Sequence, residues 1–288
     1  MTASTTRPRW WQWPTVLSLD APAVALAWQW LVARAALFPL SSQHVIVLGT
    51  STWLAYSADR WIEGWRLAPD VVQTPRHRFY QTQRRAIAVV WPLVFAADVA
   101  IALHWLTPRE LSAGFILLGA VALYLLSHQF VHRHHRWRAP KEIIVTLLLA
   151  GGVGLFPVAD PFVRDGVLGS AIGCVALLFF TNLVLISAWE IDVDAAHGQT
   201  SLALQFRRAL RASRALPWGV AAGAGLAWVT VPSGLAPVLA CTAVSALLLA
   251  GVDLAHHRKD INGRLARVLA DAVLLTPAVL WLAAHLRR

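Results

Sequence analysis

Nine apolar runs joined by short polar links constrain this chain more than any single motif does. They cover Ala21–Leu40, Val45–Tyr56, Ala86–Leu106, Leu111–Leu126, Ile143–Val158, Val167–Ala188, Leu216–Val231, Leu235–Leu254 and Leu265–Leu286. A helix crosses a bilayer with about 20 predominantly apolar residues. In hydrocarbon, only helices and closed barrels satisfy every backbone N–H and C=O. The expected architecture is therefore all-α: a polytopic membrane bundle of about nine transmembrane helices, forming one domain over 1–288. The second run is short, but its helical pattern continues into Asp59 and Glu63. Pro92 and Pro277 interrupt their runs, which a bundle tolerates because neighbouring helices satisfy the freed backbone groups. Only 14% of the residues are charged, against about 25% in soluble domains, which excludes an ordinary water-soluble fold.

The net charge of +10 raises nucleic acid as a partner, but the basic residues sit in short loops and point to membrane topology instead. The links after runs two, four, six and eight carry most of them, including Arg60, Arg66, Arg76, Arg78, Arg133, Arg136, Lys141, Arg207, Arg208, Arg258 and Arg264. The opposite side holds Arg109, Arg164, Arg287 and Arg288. Cytoplasmic loops are enriched in Lys and Arg, so those links and the N-terminus are expected in the cytoplasm, with a bacterial inner membrane as the expected location. Residues 1–19, with Arg7, Arg9, Trp10, Trp11 and Trp13, form a basic, tryptophan-rich interfacial segment. The first run continues past the small residues Ala23–Ala27, so it is expected to be a retained helix and not a cleaved leader. Cys174 and Cys241 both lie inside apolar runs, which supports neither a disulfide framework nor a cysteine metal motif.

Two acidic mouths carry the chemistry. The sixth run closes with Trp189-Glu190-Ile191-Asp192-Val193-Asp194. Glu190 and Asp194 are four apart, so on a helix they share a face and repel unless a positive group intervenes. The second run ends with Thr52, Tyr56, Asp59 and Glu63 at steps of four, three and four, again one helical stripe. Acids at the edge of an apolar helix are functional candidates. Two such pairs, four runs apart and on one side of the membrane, suggest an internal pseudo-repeat bringing four carboxylates to one pocket. Carboxylates facing one another suit Mg²⁺, a hard cation that takes oxygen ligands and is commonly completed by substrate phosphates. The plainer alternative is local pairing: Asp59 with Arg60 or Arg66, and Glu190 with an arginine of its own loop.

In these residues the chain resembles the UbiA superfamily of intramembrane prenyltransferases, nine-helix bundles with aspartate-rich motifs at the ends of helices two and six. The first family motif, Asn-Asp-x-x-Asp-x-x-x-Asp, is similar to Ala55-Tyr56-Ser57-Ala58-Asp59-Arg60-Trp61-Ile62-Glu63, with the leading Asn-Asp replaced. The second, Asp-x-x-x-Asp, corresponds to Glu190-x-x-x-Asp194, followed by Gly198 and Thr200-Ser201-Leu202. A family Tyr-x-x-x-Lys element aligns with Trp137 and Lys141. The resemblance implies Mg²⁺ held by Asp59, Glu63, Glu190, Asp192 and Asp194, with Asp59, Glu63, Glu190 and Asp194 as catalytic residues. It implies transfer of a prenyl group from an isoprenyl diphosphate to a lipophilic or aromatic acceptor.

Lys141 and Arg76 are then the preferred diphosphate contacts, with Arg60, Tyr56 and Asn182 as further substrate residues. Trp53 or Trp189 could line a prenyl tunnel. The partners expected are membrane lipid, the diphosphate and the acceptor, with no nucleic acid. Two alternatives stay open: a non-catalytic UbiA-like protein binding an isoprenoid, quinone or partner protein, and a small transporter coupled through Asp98 or Asp271. Arg267 and Asp271, four apart, are expected to pair structurally, and Asp98 has no partner visible in sequence. His128, His132, His134 and His135 are expected to form an interfacial loop.

Overall fold

The structure, a computed structural model, describes residues 8–66, 74–127, 140–163, 165–196, 201–206, 210–230 and 233–286. Its regular elements are helical throughout the described residues. The main ones are α1 (Asp20–Ala35), α2 (Ser42–Arg66), α3 (Pro75–Thr82), α4 (Arg84–Trp105), α5 (Pro108–Leu126), α6 (Lys141–Ala159) and α7 (Asp165–Trp189). They continue as α8 (Ile191–Ala196), α9 (Leu216–Thr230), α10 (Ala236–His257), α11 (Gly263–Ala272) and α12 (Thr276–His285). Each of the nine apolar runs coincides with one long helix or, for the last, with the α11–α12 pair. Among the described residues, six segments are long and apolar enough to cross a membrane, and the N-terminal pair Trp10–Val16 and Asp20–Ala35, bent by 77°, makes a seventh.

Two boundaries differ from the sequence expectation, each for a local reason. The first helix ends at Ala35 rather than Leu40, because Leu37 adopts a left-handed φ of 57° and the N–H groups of Leu37 and Phe38 turn back to Arg34 and Ala33. That geometry terminates a helix, and Pro39 follows it. The second helix runs on through Asp59 and Glu63 to Arg66, as its pattern predicts. The last run breaks into a 3-10 turn at Val273–Leu275, where the Trp28 indole N–H donates to the Leu274 carbonyl at 2.9 Å.

Helix α1 is the hub of the bundle, packing against α2, α6, α7, α10, α11 and α12. It contributes Ala25, Trp28, Leu31 and Val32, all fully buried, to a core shared with Val153 of α6, Val175 and Leu178 of α7, and Val238 and Ala246 of α10. Helices α4 and α5 lie on the periphery and present Val89, Leu93, Leu103, Phe115, Ile116 and Leu123 outward. In water this would be an aggregation-prone face; against acyl chains it is the expected lipid contact.

Candidate functional site

The ends of α2, α6 and α7, together with α3, α8 and α11, meet at one end of the bundle. Helix α7 stops at Trp189, and the chain resumes as α8 at Ile191, so Glu190 sits at the joint. The Asp194 N–H donates to the Glu190 carbonyl at 2.9 Å, which keeps the two acids one turn apart as their spacing predicts. Glu190 Oε2 accepts from two arginines, Arg76 of α3 at 3.1 Å and Arg267 of α11 at 2.9 Å. Lys141, the first residue of α6, donates to Asp194 Oδ1 at 2.9 Å. Glu63, near the end of α2, lies 2.7 Å from His77 Nε2, and the other nitrogen of that ring meets the Thr74 hydroxyl.

Local sequence explains how α3 delivers its two residues. Thr74 is the N-cap and Pro75 the first helical residue, a pairing that fixes φ while giving up an N–H that would be unpaired anyway. The helix then docks on Gly64. A Cβ there would sit 3.0 Å from the backbone of Tyr80 and Gln81, closer than side-chain carbons approach backbone, so glycine permits the contact. Arg76 and His77 are adjacent and reach different acids, tying the two mouths together. Lys141 and Arg76 also act electrostatically on Glu63.

Burial alone would raise the Glu190 carboxyl, but Arg76 and Arg267 outweigh it and hold the group at about 2. Burial, reinforced by repulsion from Arg267, lowers the Arg76 guanidinium from its usual range, with Glu190 acting against the shift. The cluster extends inward. Asn182 Nδ2 donates to Asp271 Oδ1 at 3.2 Å, and Asp271 Oδ2 is 4.0 Å from Arg267 Nε. Arg60 is buried, donating to Ser18 Oγ at 2.6 Å with its guanidinium 5.6 Å from the Tyr56 ring. The Tyr80 hydroxyl donates to the same Ser18 oxygen at 3.0 Å.

The structure thus brings Glu63, Glu190, Asp194, Arg76 and Lys141 together and links Asn182 to them through Asp271 and Arg267. Asp59 is half-buried on the same helix as Glu63, whereas Asp192 is exposed. Arg60 and Tyr56 lie against each other. The expected Arg267–Asp271 pair is long, at 4.0 Å, and Arg267 sits closer to Glu190, at 2.9 Å. Glu190 pairs across the fold instead of with an arginine of its own loop. Asp98 accepts from Ser51 Oγ at 2.6 Å and from the Thr50 hydroxyl. The indole of Trp189 donates to Asp253 at 3.0 Å, and that of Trp53 to the Leu17 carbonyl at 3.0 Å.

Two site residues, His77 and Arg267, carry no sequence signal strong enough to single them out. The only hint for His77 is its place three residues after a Thr-Pro helix start. The histidines 128–135, Trp137, Gly198 and Thr200 lie outside the described residues.

Carboxylate oxygens are the right donors for Mg²⁺, but their arrangement does not fit it. Glu63, Glu190 and Asp194 are each engaged by a basic side chain, and two guanidinium groups already occupy one oxygen of Glu190. Among the described residues no three His, Cys, Asp or Glu side chains converge on a point that could hold a metal ion.

No family model matches the sequence, and no curated protein does. The fold does have a likeness among solved structures: the apo structure of a UbiA homolog from Aeropyrum pernix K1 superposes with a TM-score of 0.59. The match covers 92% of this chain and 98% of that one at 14% sequence identity. The protein is therefore a membrane helical bundle with the UbiA fold, and the resemblance seen in its motifs holds at the level of the fold.

Proposed function

We propose that the protein is an intramembrane prenyltransferase, taking a prenyl group from an isoprenyl diphosphate and passing it to a lipophilic or aromatic acceptor. One observation carries this reading: Arg76, Arg267 and Lys141, from three separate helices, gather on Glu190 and Asp194 at one end of an apolar bundle. An amphiphile with a diphosphate head and a hydrocarbon tail has that same polarity. Guanidinium groups bind phosphate oxygens in bidentate fashion, and lysine adds a compact charge. As the bond from prenyl C1 to the diphosphate oxygen lengthens, negative charge collects on the leaving group, and preorganised cations there lower the barrier. The apolar interior keeps water from the allylic centre, so the acceptor captures it. Mg²⁺ held by Asp59, Glu63, Glu190, Asp192 and Asp194 would have to compete with the basic side chains already bonded to Glu63, Glu190 and Asp194.

The test is release of inorganic diphosphate by the purified protein given geranyl, farnesyl or geranylgeranyl diphosphate and a panel of quinone-precursor, phenolic and lipid-alcohol acceptors. Acceptor-dependent release that is lost in Arg76→Gln supports transfer. Tight binding without release from any combination would reject transferase activity and leave an isoprenoid-binding protein.

A further inference from the structure

The mouth is built as an internal ion exchanger. Its permanent cations are bonded to carboxylates of the same chain: Arg76 and Arg267 to Glu190, and Lys141 to Asp194. Yet bonding capacity is left over. Among the described residues, Arg76 Nε and Arg267 Nε are buried without a hydrogen-bond partner, as is Asp194 Oδ2 on a residue only 4% exposed. A guanidinium has five donors in a fixed fork, and one shared carboxylate oxygen uses few of them. A diphosphate offers several anionic oxygens spread over two phosphorus centres, enough to engage both forks and the lysine together. A divalent cation meets the opposite situation, since one oxygen of each of Glu63, Glu190 and Asp194 is held by a basic side chain whose charge repels it.

Resting on the prenyl diphosphate reading, we infer that this protein binds the diphosphate without a metal, and that Glu190 and Asp194 are resident counter-anions which the diphosphate displaces. The acids hold the basic side chains in place while the site is empty and compete with the incoming anion. Their role is thereby reversed from metal ligand to internal competitor. The two roles predict opposite signs for one substitution. Removing a metal ligand weakens diphosphate binding, whereas removing a competitor strengthens it.

The experiment is calorimetric titration of the detergent-purified full chain with farnesyl diphosphate, once in EDTA and once in Mg²⁺. Wild type, Glu190→Gln, Asp194→Asn and Arg76→Gln are compared. Expected are binding in EDTA that Mg²⁺ leaves unchanged, affinity raised on the order of tenfold in Glu190→Gln or Asp194→Asn, and loss in Arg76→Gln. Asp194→Asn gives an independent reading should Glu190→Gln fail to fold. Binding that requires Mg²⁺ and weakens in either acid variant overturns the inference while leaving the prenyl diphosphate reading intact. No binding in either buffer, with geranyl or geranylgeranyl diphosphate substituted as well, overturns both.

Discussion

Replacing Glu190 with glutamine should destabilise the protein at neutral pH and cease to matter in acid. The side chain is 17% exposed and serves two arginines at 3.1 and 2.9 Å. Its carboxyl is held at about 2 against an ordinary value of 4.5. A difference of that size corresponds to about 3 kcal/mol of folding free energy, at roughly 1.4 kcal/mol per pH unit. Removing one partner of a buried ion pair costs about 3–5 kcal/mol in measured cases, so the two routes agree.

The sign follows from the direction of the shift. A carboxylate depressed in the folded state stabilises above its unfolded value and stops doing so as pH falls through its folded value. The gap between wild type and Glu190→Gln should be full at pH 7, narrow below about 4.5, and close near 2. Intrinsic tryptophan fluorescence reports unfolding in detergent, because the fifteen tryptophans dominate the signal. Unfolding midpoints at pH 7, 5, 4 and 3 for both proteins make the comparison, and other acids titrate alike in each. An equal gap at pH 7 and pH 3, or none at pH 7, would refute the reasoning.

Gly64→Ala should loosen α3 from α2 and cost about 1–3 kcal/mol, because its Cβ meets backbone at 3.0 Å. Gly114→Ala, whose Cβ would meet nothing within 4 Å among the described residues, should be neutral or slightly stabilising; equal midpoints for the two variants would argue against the close approach. Ser18 holds a left-handed φ of 59° while accepting from Arg60 and Tyr80. Ser18→Gly relieves the backbone and Ser18→Ala does not, so the alanine variant should be less stable by about 1 kcal/mol, as measured by the same unfolding assay. Asp98→Ala should leave the Ser51 hydroxyl without its carboxylate acceptor, while Thr50 keeps the Ile46 carbonyl at 2.7 Å. Adding Ser51→Ala should recover part of the loss, and no recovery would mean Asp98 acts otherwise.

What could be seen in the sequence was what depends on neighbours along the chain. Each apolar run became a helical segment because hydropathy and backbone satisfaction in lipid are local requirements. Glu190 and Asp194 kept their one-turn relation for the same reason, and Asp98 was visible as an anomaly inside its run. Pairings set by how helices pack were not visible. Arg76 lies 114 residues before Glu190 and Arg267 lies 77 after it, so local spacing favoured Asp271 as the partner of Arg267. His77 carries no apolar or acidic periodicity and gains meaning only where α3 crosses Gly64. The left-handed residue at the end of α1 is a leucine, and glycine or asparagine would have announced that turn.

The double embrace of Glu190 sets a timetable for making the protein. At synthesis rates of about 5–20 residues per second, the 77 residues separating Glu190 from Arg267 take roughly 4–15 s to emerge. During that interval Arg76, long since translated, is the arginine at hand to shield a carboxylate at the membrane edge. Only the arrival of the last hairpin supplies the second guanidinium, and it also delivers Leu274 to the waiting indole of Trp28, 246 residues upstream. A nascent chain arrested before that hairpin would carry a half-neutralised acid and an open seam along its first long helix. Membrane quality-control proteases could recognise both features.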